Sequence, residues 1–305
     1  MQNIILVLLP IFLLICLGYV FKRFAFPHED FWAMADKFTY YVLFPSLLVY
    51  KLTTANLGGI NSFTMLIVAA AALVVMFILT LFMKRFKAID NSAFTSVIQG
   101  SIRFNTYVFL ALVDAIFGDS GLVIAAILIA FAIIFINFLC IASFAYFVPQ
   151  QKFSVINMFK TTLKNPLIVA CLIGILLNLA PIEVPVVLLN TVSILSQAAL
   201  PLGLLSVGVG LQLTHMAQAK YPLFLATFLK LLIFPLVMFL LAKWFDLPLM
   251  QQYILLLFAC MPTASSSFIL ARQLGGDLKL MSSIITVQTL LCIVTLSFVI
   301  AFISP

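Results

Sequence analysis

Charge is what this sequence has least of. Asp, Glu, Lys and Arg together make up 8% of 305 residues, against 65% hydrophobic, where a soluble domain runs near a quarter charged and half apolar. A soluble fold has no way to cover that much apolar surface, so a water-soluble globular domain is excluded. Histidine is nearly absent: His28 and His215 are the only two, and both are expected in loops. The five cysteines, Cys16, Cys140, Cys171, Cys260 and Cys292, fall in apolar runs without a Cys-x-x-Cys pair. They read as small packing residues. No His, Cys or acidic cluster has metal-ligand spacing, so neither a metal nor another cofactor is expected.

What is present is long apolar runs. A membrane-spanning helix needs about 20 largely apolar residues, and ten such runs are found. Six are clear: Asn3–Phe21, Ser62–Met83, Leu122–Phe147, Pro166–Ala180, Pro222–Ala242 and Leu280–Ile303. Four are interrupted by Pro, Gly or a charge: Phe31–Thr53, Asn91–Phe117, Pro185–Leu211 and Leu249–Ala271. Broken backbone is tolerated at membrane depth only where protein or a cavity satisfies it, so the interruptions carry information. The first run is read as a helix and not a signal peptide, because Lys22 and Arg23 follow it and no small-residue cleavage site appears.

The basic residues orient the chain. With ten spans, the odd-numbered loops hold Lys22, Arg23, Lys84, Arg85, Lys87, Lys152, Lys160, Lys164, Lys220, Arg272 and Lys279, while the even side has little beyond Lys51 and Lys243. By the positive-inside rule the odd loops are cytoplasmic and both termini face outward. The net charge of +7 is then an orientation signal, and no nucleic acid partner is expected. The longest loop, 148–164, is cytoplasmic, with a short interfacial helix expected around Phe153–Phe159.

An internal repeat shows in the punctuating residues. Pro10 and Pro166, Gly18 and Gly174, and Pro45 and Pro201 are each 156 positions apart, and Phe117-Gly118-Asp119 matches Gly275-Gly276-Asp277 at 158. Pro and Gly fix backbone geometry, so their recurrence says more than matching leucines would. Five spans per half is an odd number, which makes the second half enter from the opposite face. The expected fold is therefore all-α and integral to the membrane, ten transmembrane helices as two inverted five-helix repeats (1–147 and 165–305) with helices 4 and 9 broken. Inverted repeats with matching breaks are the pattern of secondary transporters, which hold substrate at the breaks.

The candidate site residues lie on those two spans. Span four carries Gln99, Gly100, Arg103, Asn105 and Thr106, and span nine carries Pro262, Thr263, Ser265 and Ser266. A charge at bilayer centre costs at least about 2.5 kcal/mol on insertion scales, so Arg103 either faces a wet cavity, pairs with an acid or binds an anion. Gly100 permits a backbone break, Pro262 frees a carbonyl, and the second half of each broken helix is expected to begin with uncapped N–H groups at a positive dipole end. A carboxylate suits that arrangement. Thr263 to Ser267 serve equally well for close helix packing. Asp36, Asp114 and Lys230 are either coupling groups or structure. Lys230 either snorkels, pairs with Asp114 or responds to a coupling ion, H+ or Na+. Asn137 and Gln288 read first as interhelical hydrogen-bonding residues.

These residues also carry a resemblance. Arg103-Phe104-Asn105-Thr106-Tyr107, Asn165-Pro166, and Met261-Pro262-Thr263-Ala264 through Ala271-Arg272-Gln273-Leu274-Gly275-Gly276-Asp277 are similar to the auxin efflux carrier family, particularly its bacterial members, over nearly the whole length. The resemblance implies ten helices in two inverted repeats with spans four and nine crossing, a scaffold of spans one, two, six and seven, and a moving unit of spans three to five and eight to ten in an elevator-like step. It also implies a small carboxylate substrate, such as malonate, malate or an auxin-like acid, and a bacterial inner-membrane location. A homodimer is among the expectations.

The function expected is secondary active transport of small organic anions by alternating access, not enzymatic catalysis. A channel or sensory membrane module on the same scaffold is the alternative. An intramembrane protease is the third reading, prompted by Gly118-Asp119-Ser120-Gly121, and it lacks a base near Ser120.

Overall fold

The computed structural model describes residues 4–55, 62–148, 164–180, 184–213 and 220–303. Lys152, Lys160, the helix expected around Phe153–Phe159, and His215 lie outside the described residues. The described residues form helices and no strand. Such an outcome follows from composition, since in hydrocarbon a helix satisfies its own backbone. The helices are α1 (Ile4–Arg23), α2 (Glu29–Phe38), α3 (Phe44–Thr53), α4 (Phe63–Met83), α5 (Asn91–Ile102), α6 (Thr106–Phe147) and α7 (Pro166–Leu179). There follow α8 (Val186–Gln197), α9 (Ala199–Gly210), α10 (Lys220–Phe228), α11 (Phe234–Trp244), α12 (Leu249–Cys260), α13 (Ser266–Leu274) and α14 (Leu278–Ile303). Among the described residues, 6 helical stretches are long and apolar enough to cross a membrane, and Pro166–Leu179 and Leu249–Cys260 are shorter apolar helices.

Local chemistry sets the boundaries. The Asn165 side chain accepts from the Leu167 N–H at 2.9 Å and Pro166 opens α7, a strong helix start. Gly275 closes α13 in the left-handed conformation (φ 78°), as glycine does after a helix C-terminus. Within α6, Gly118 leaves the helical region altogether (φ 58°, ψ −147°). This split falls between the expected fourth and fifth spans.

Two π turns join helices end to end. Thr39–Leu43 links α2 to α3, and Leu229–Ile233 links α10 to α11. Each closes with an N–H of phenylalanine bonding five residues back, Phe44 to the Thr39 carbonyl and Phe234 to the Leu229 carbonyl. Each phenylalanine precedes a proline, Pro45 or Pro235, whose missing N–H disrupts the ordinary ladder; the wider turn absorbs the defect.

Close backbone approaches weld one group of helices. α1 packs on α9, and α3 packs on α7 and α8. A methyl on Gly18 would sit 2.1 Å from the Leu205 carbonyl oxygen, and one on Gly208 would sit 1.9 Å from that of Ile15. On the other helix pair, a methyl on Gly174 would meet the Leu52 side chain at 2.7 Å and the Val49 carbonyl at 3.2 Å. A second group surrounds the breaks: α11 lies on α4 and α12, while α10 and α14 flank α5.

Replacing Gly208 with leucine should force α1 off α9 and lower stability by about 1–3 kcal/mol, the usual cost of overpacking, or more because backbone has to yield. Gly210→Ala is the control, since its nearest neighbour would be the Ser265 hydroxyl at 3.6 Å. Thermal unfolding of the purified protein in detergent separates the two; equal melting temperatures would contradict the welded contact.

Candidate functional site

The first break is built by its own side chains. α5 stops at Ile102, Arg103 is extended (φ −73°, ψ 156°), and α6 restarts behind Asn105. The Asn105 side-chain oxygen accepts from the Tyr107 and Val108 N–H groups at 3.0 and 3.2 Å. Asparagine is favoured at an N-cap for this reason. In the second break α12 ends at Cys260, Met261 is extended (φ −65°, ψ 140°), and α13 begins only at Ser266.

Each break satisfies the other. The Asn105 N–H donates to the Pro262 carbonyl at 2.7 Å. The Gly100 carbonyl, left over at the end of α5, accepts from the Thr263 hydroxyl at 3.0 Å and from the Gln288 amide nitrogen at 2.9 Å. Gln288 also donates to the Ala226 carbonyl at 3.2 Å, and its oxygen accepts from the Thr263 N–H at 2.9 Å. That oxygen lies 2.7 Å from the Thr263 hydroxyl, whose single proton is thus shared between two acceptors. Thr263 and Gln288 are fully buried.

Arg103 projects from this interlock. Its guanidinium donates to the Asn137 side-chain oxygen at 3.1 Å and to the Ser266 hydroxyl at 3.2 Å. No acidic side chain pairs with it among the described residues. Arg103 is half-buried, whereas Ser265 and Ser266 are exposed and Thr106 is half-buried. At the start of α13 the N–H groups of Ala264, Ser265 and Ser266 donate to no acceptor among the described residues. A guanidinium with neutral partners, free amide N–H groups and two hydroxyls together form a donor set for an anion.

Beside this set, Tyr107 at the start of α6 meets Asp36 and Phe44 from either side of the Thr39–Leu43 π turn. The Tyr107 hydroxyl donates to the exposed Asp36 carboxylate at 3.5 Å, the outer limit of a hydrogen bond, and its ring stacks on Phe44 at 4.5 Å with planes 6° apart. Tyr40 is within electrostatic reach of both Arg103 and Asp36. Tyr40 and Tyr107 were not among the expected site residues; their signal was a polar ring tip inside an otherwise apolar span.

Several expectations are corrected. Gly100 is not the break: it is helical, a methyl on it would meet Ile284 at 2.9 Å, and its role is to offer a carbonyl at close quarters. The restart of α6 is capped, not bare. The oxygen of Asn105 is spent on that cap, and the hydroxyl of Thr263 is spent inside the interlock. Lys230 neither snorkels nor pairs with Asp114: it is fully buried, without a hydrogen-bond acceptor among the described residues. Asp114 is half-buried, in the field of Lys51 and Asp119, and Lys51 and Asp119 form an ion pair. Gln99 is fully buried with neither amide atom bonded. Ser120, the candidate nucleophile of the protease reading, donates to the Phe117 carbonyl at 3.1 Å. A separate cavity of ≈ 230 Å³ is lined by Phe21, Lys22, Ala25, His28, Trp32 and Val209 and shares no residue with the breaks.

A family model described as Membrane transport protein matches residues 3–300. No curated protein matches the chain.

Removing the Gln288 amide should loosen the interlock. Gln288→Leu leaves the Thr263 N–H buried and without its acceptor, at about 1–3 kcal/mol, and removes the amide bonds to the Gly100 and Ala226 carbonyls. Ser266→Ala, at an exposed hydroxyl, should leave the melting temperature within about a degree or two. Unfolding of both variants in detergent tests this, and a Gln288→Leu protein as stable as the parent would contradict it.

Proposed function

Because the chain belongs to the auxin efflux carrier family of membrane transporters, we propose that it is a secondary active carrier of small carboxylates, bound between the two helix breaks. The observation that carries this reading is Arg103, a guanidinium within the membrane protein whose described partners, Asn137 and Ser266, are neutral. Such a charge is costly unless an anion completes it. One carboxylate oxygen pair lies against Arg103, and the N–H groups and hydroxyls of Ser265 and Ser266 receive the remaining charge. Gln99, Thr106 and Asn137 shape the surroundings, while Asn105, Gly100, Pro262 and Thr263 hold the breaks in register.

The architecture proposed is ten transmembrane helices in two inverted halves, 1–147 and 165–305, joined by a cytoplasmic segment at 148–164. Two observations support it. Gly18 approaches Leu205, and Gly174 approaches Val49, so the same contact recurs with every partner shifted by 156 positions. The π turn at Thr39–Leu43 and the interruption at Ala198 between α8 and α9 also fall in register at that spacing, each just before a proline. The helices welded by glycines (α1, α3, α7, α8 and α9) form a scaffold, and those around the breaks form a unit that moves past it. Alternating access in this form carries the bound anion across in an elevator-like step. The basic loops put the odd-numbered side in the cytoplasm of a bacterial cell, with both termini outside.

A carrier is favoured over a channel because the breaks close on one another through buried hydrogen bonds. Proteoliposomes should take up labelled malonate or malate saturably. Arg103→Ala should weaken binding roughly 10- to 100-fold, the worth of a charge-assisted hydrogen-bond pair, in a protein that still unfolds cooperatively. Unchanged uptake by that variant would remove Arg103 from the site, and unitary currents in place of saturable flux would support the channel. An alkaline phosphatase fused after residue 305 should be active in cells; an inactive fusion would reverse the topology.

A further inference from the structure

Lys230 is the buried ionisable group that the site leaves unused. It lies in the π turn Leu229–Ile233, is fully buried, and its Nζ has no acceptor among the described residues. Its neighbours are aromatic, the Phe234 ring centre at 4.4 Å and the Phe258 ring centre at 5.9 Å. The helices packed on the turn are α5, α10, α11, α12 and α14. α5 has no ionisable side chain; the others bring Lys220 and Tyr221, Lys243, Tyr253 and Cys260, and Lys279 and Cys292. None of these is a carboxylate, and Cys260 is the group in electrostatic reach of Nζ. An ammonium needs acceptors and a counter-ion when buried, and this setting supplies two ring faces. The setting therefore offers the ammonium neither a hydrogen-bond acceptor among the described residues nor a neighbouring carboxylate.

Its position connects it to the breaks. The Phe258 ring packs on Phe104 with centres 4.6 Å apart, and Phe104 stands between Arg103 and Asn105 in the first break. Cys260 is the last helical residue before the second break. Two aromatic rings, Phe258 and then Phe104, thus lie between Nζ and the backbone of the first break. In that low-dielectric interior an anion at the breaks lowers the cost of a positive charge at Nζ, and by reciprocity a proton on Nζ strengthens anion binding. A π turn is a recurrent device at functional positions in membrane and soluble helices; here it accompanies an inward-facing lysine.

We propose that Lys230 is a proton-binding site of the moving unit, neutral without substrate and protonated when a carboxylate occupies the breaks, so that the anion crosses together with a proton. This inference rests on the carrier function proposed above. One proton from solvent takes the amine lone pair as substrate enters, and returns to solvent as substrate leaves on the other side. No bond to substrate is made or broken.

The test uses the full chain in weakly buffered detergent with a pH indicator, malonate as the probe, and the alkaline range where malonate stays a dianion. The wild-type protein should take up protons when malonate is added, and its affinity should fall up to about tenfold per pH unit as pH rises. Lys230→Met, which keeps the length of the stem, should bind malonate more weakly, take up no proton and lose the pH slope. In liposomes it should keep malonate–malonate exchange and lose accumulation driven by a pH gradient. Lys230→Leu gives a second comparison should the methionine variant unfold. Proton uptake unchanged in these variants, or wild-type binding without proton uptake, overturns the proton site and leaves the carrier function standing. Absence of any carboxylate binding or flux in the wild type overturns the carrier function itself.

Discussion

Inside a bilayer a peptide N–H or carbonyl has no water to turn to, so a helix that stops at membrane depth must find partners for the groups it exposes. This chain stops two helices, at 103–105 and 261–265, and each stop supplies what the other lacks. The Pro262 carbonyl takes the Asn105 N–H, and the Gly100 carbonyl takes the side chains of Thr263 and Gln288. Neither break would be tolerable alone. The glycine at 100, the proline at 262 and the buried amide at 288 form one solution to one problem, drawn from α5, the second break and α14.

That solution leaves a specific remainder. Once Asn105 has capped α6 and Thr263 has been consumed by Gly100 and Gln288, what remains at the breaks is Arg103, bonded only to neutral groups, with the first N–H groups of α13 and the unbonded amide of Gln99. Asn137 and Ser266 hold the guanidinium in place as neutral acceptors, so they orient its charge without cancelling it. An acid in either position would have closed the site with an internal salt bridge. The anion preference proposed for the site thus rests on what is missing around Arg103 as much as on Arg103 itself.

The sequence revealed the elements better than the details of their breaks. Apolar runs located helices because length and hydropathy are properties of single segments, and Pro10, Pro45, Pro166 and Pro201 suggested the proposed repeat because proline acts on its own backbone. The interlock depends on contacts between distant segments, Gly100 with Gln288 at a separation of 188 residues, and no local pattern encodes them. Gly100 therefore reads as the permissive residue for a break nearby, and the break lies three residues on, where Asn105 can cap the restart. Gln288 read as an interhelical residue from its polarity alone, but its two acceptors could not be named. Tyr40 and Tyr107 escaped because a tyrosine in a span fits packing and site equally well. The isolation of Lys230 was also beyond sequence, since it depends on which helices surround the π turn.

The distribution of bonding across the molecule bears on how it works. Within the unit around the breaks, α5, the second break, α10 and α14 are tied by buried hydrogen bonds to backbone carbonyls, which are short, directional and costly to open. Within the proposed scaffold, α1 with α9 and α3 with α7 meet glycine against backbone, contacts that forbid sliding for steric reasons. Between the two groups the character changes. Phe44 stacks flat on Tyr107, Gly203 lies against both rings, and the side-chain links across the boundary include Tyr107 to Asp36, Gln212 to Ser282 and Lys51 to Asp119. Flat ring faces and single side-chain bonds are exchanged cheaply, whereas an interlocked pair of backbone breaks is not. In the proposed carrier, movement of one group past the other would concentrate at this boundary, with the breaks and Arg103 travelling intact. Asp36 and the two tyrosines, standing on or beside the boundary, are the groups whose contacts such a movement would change first.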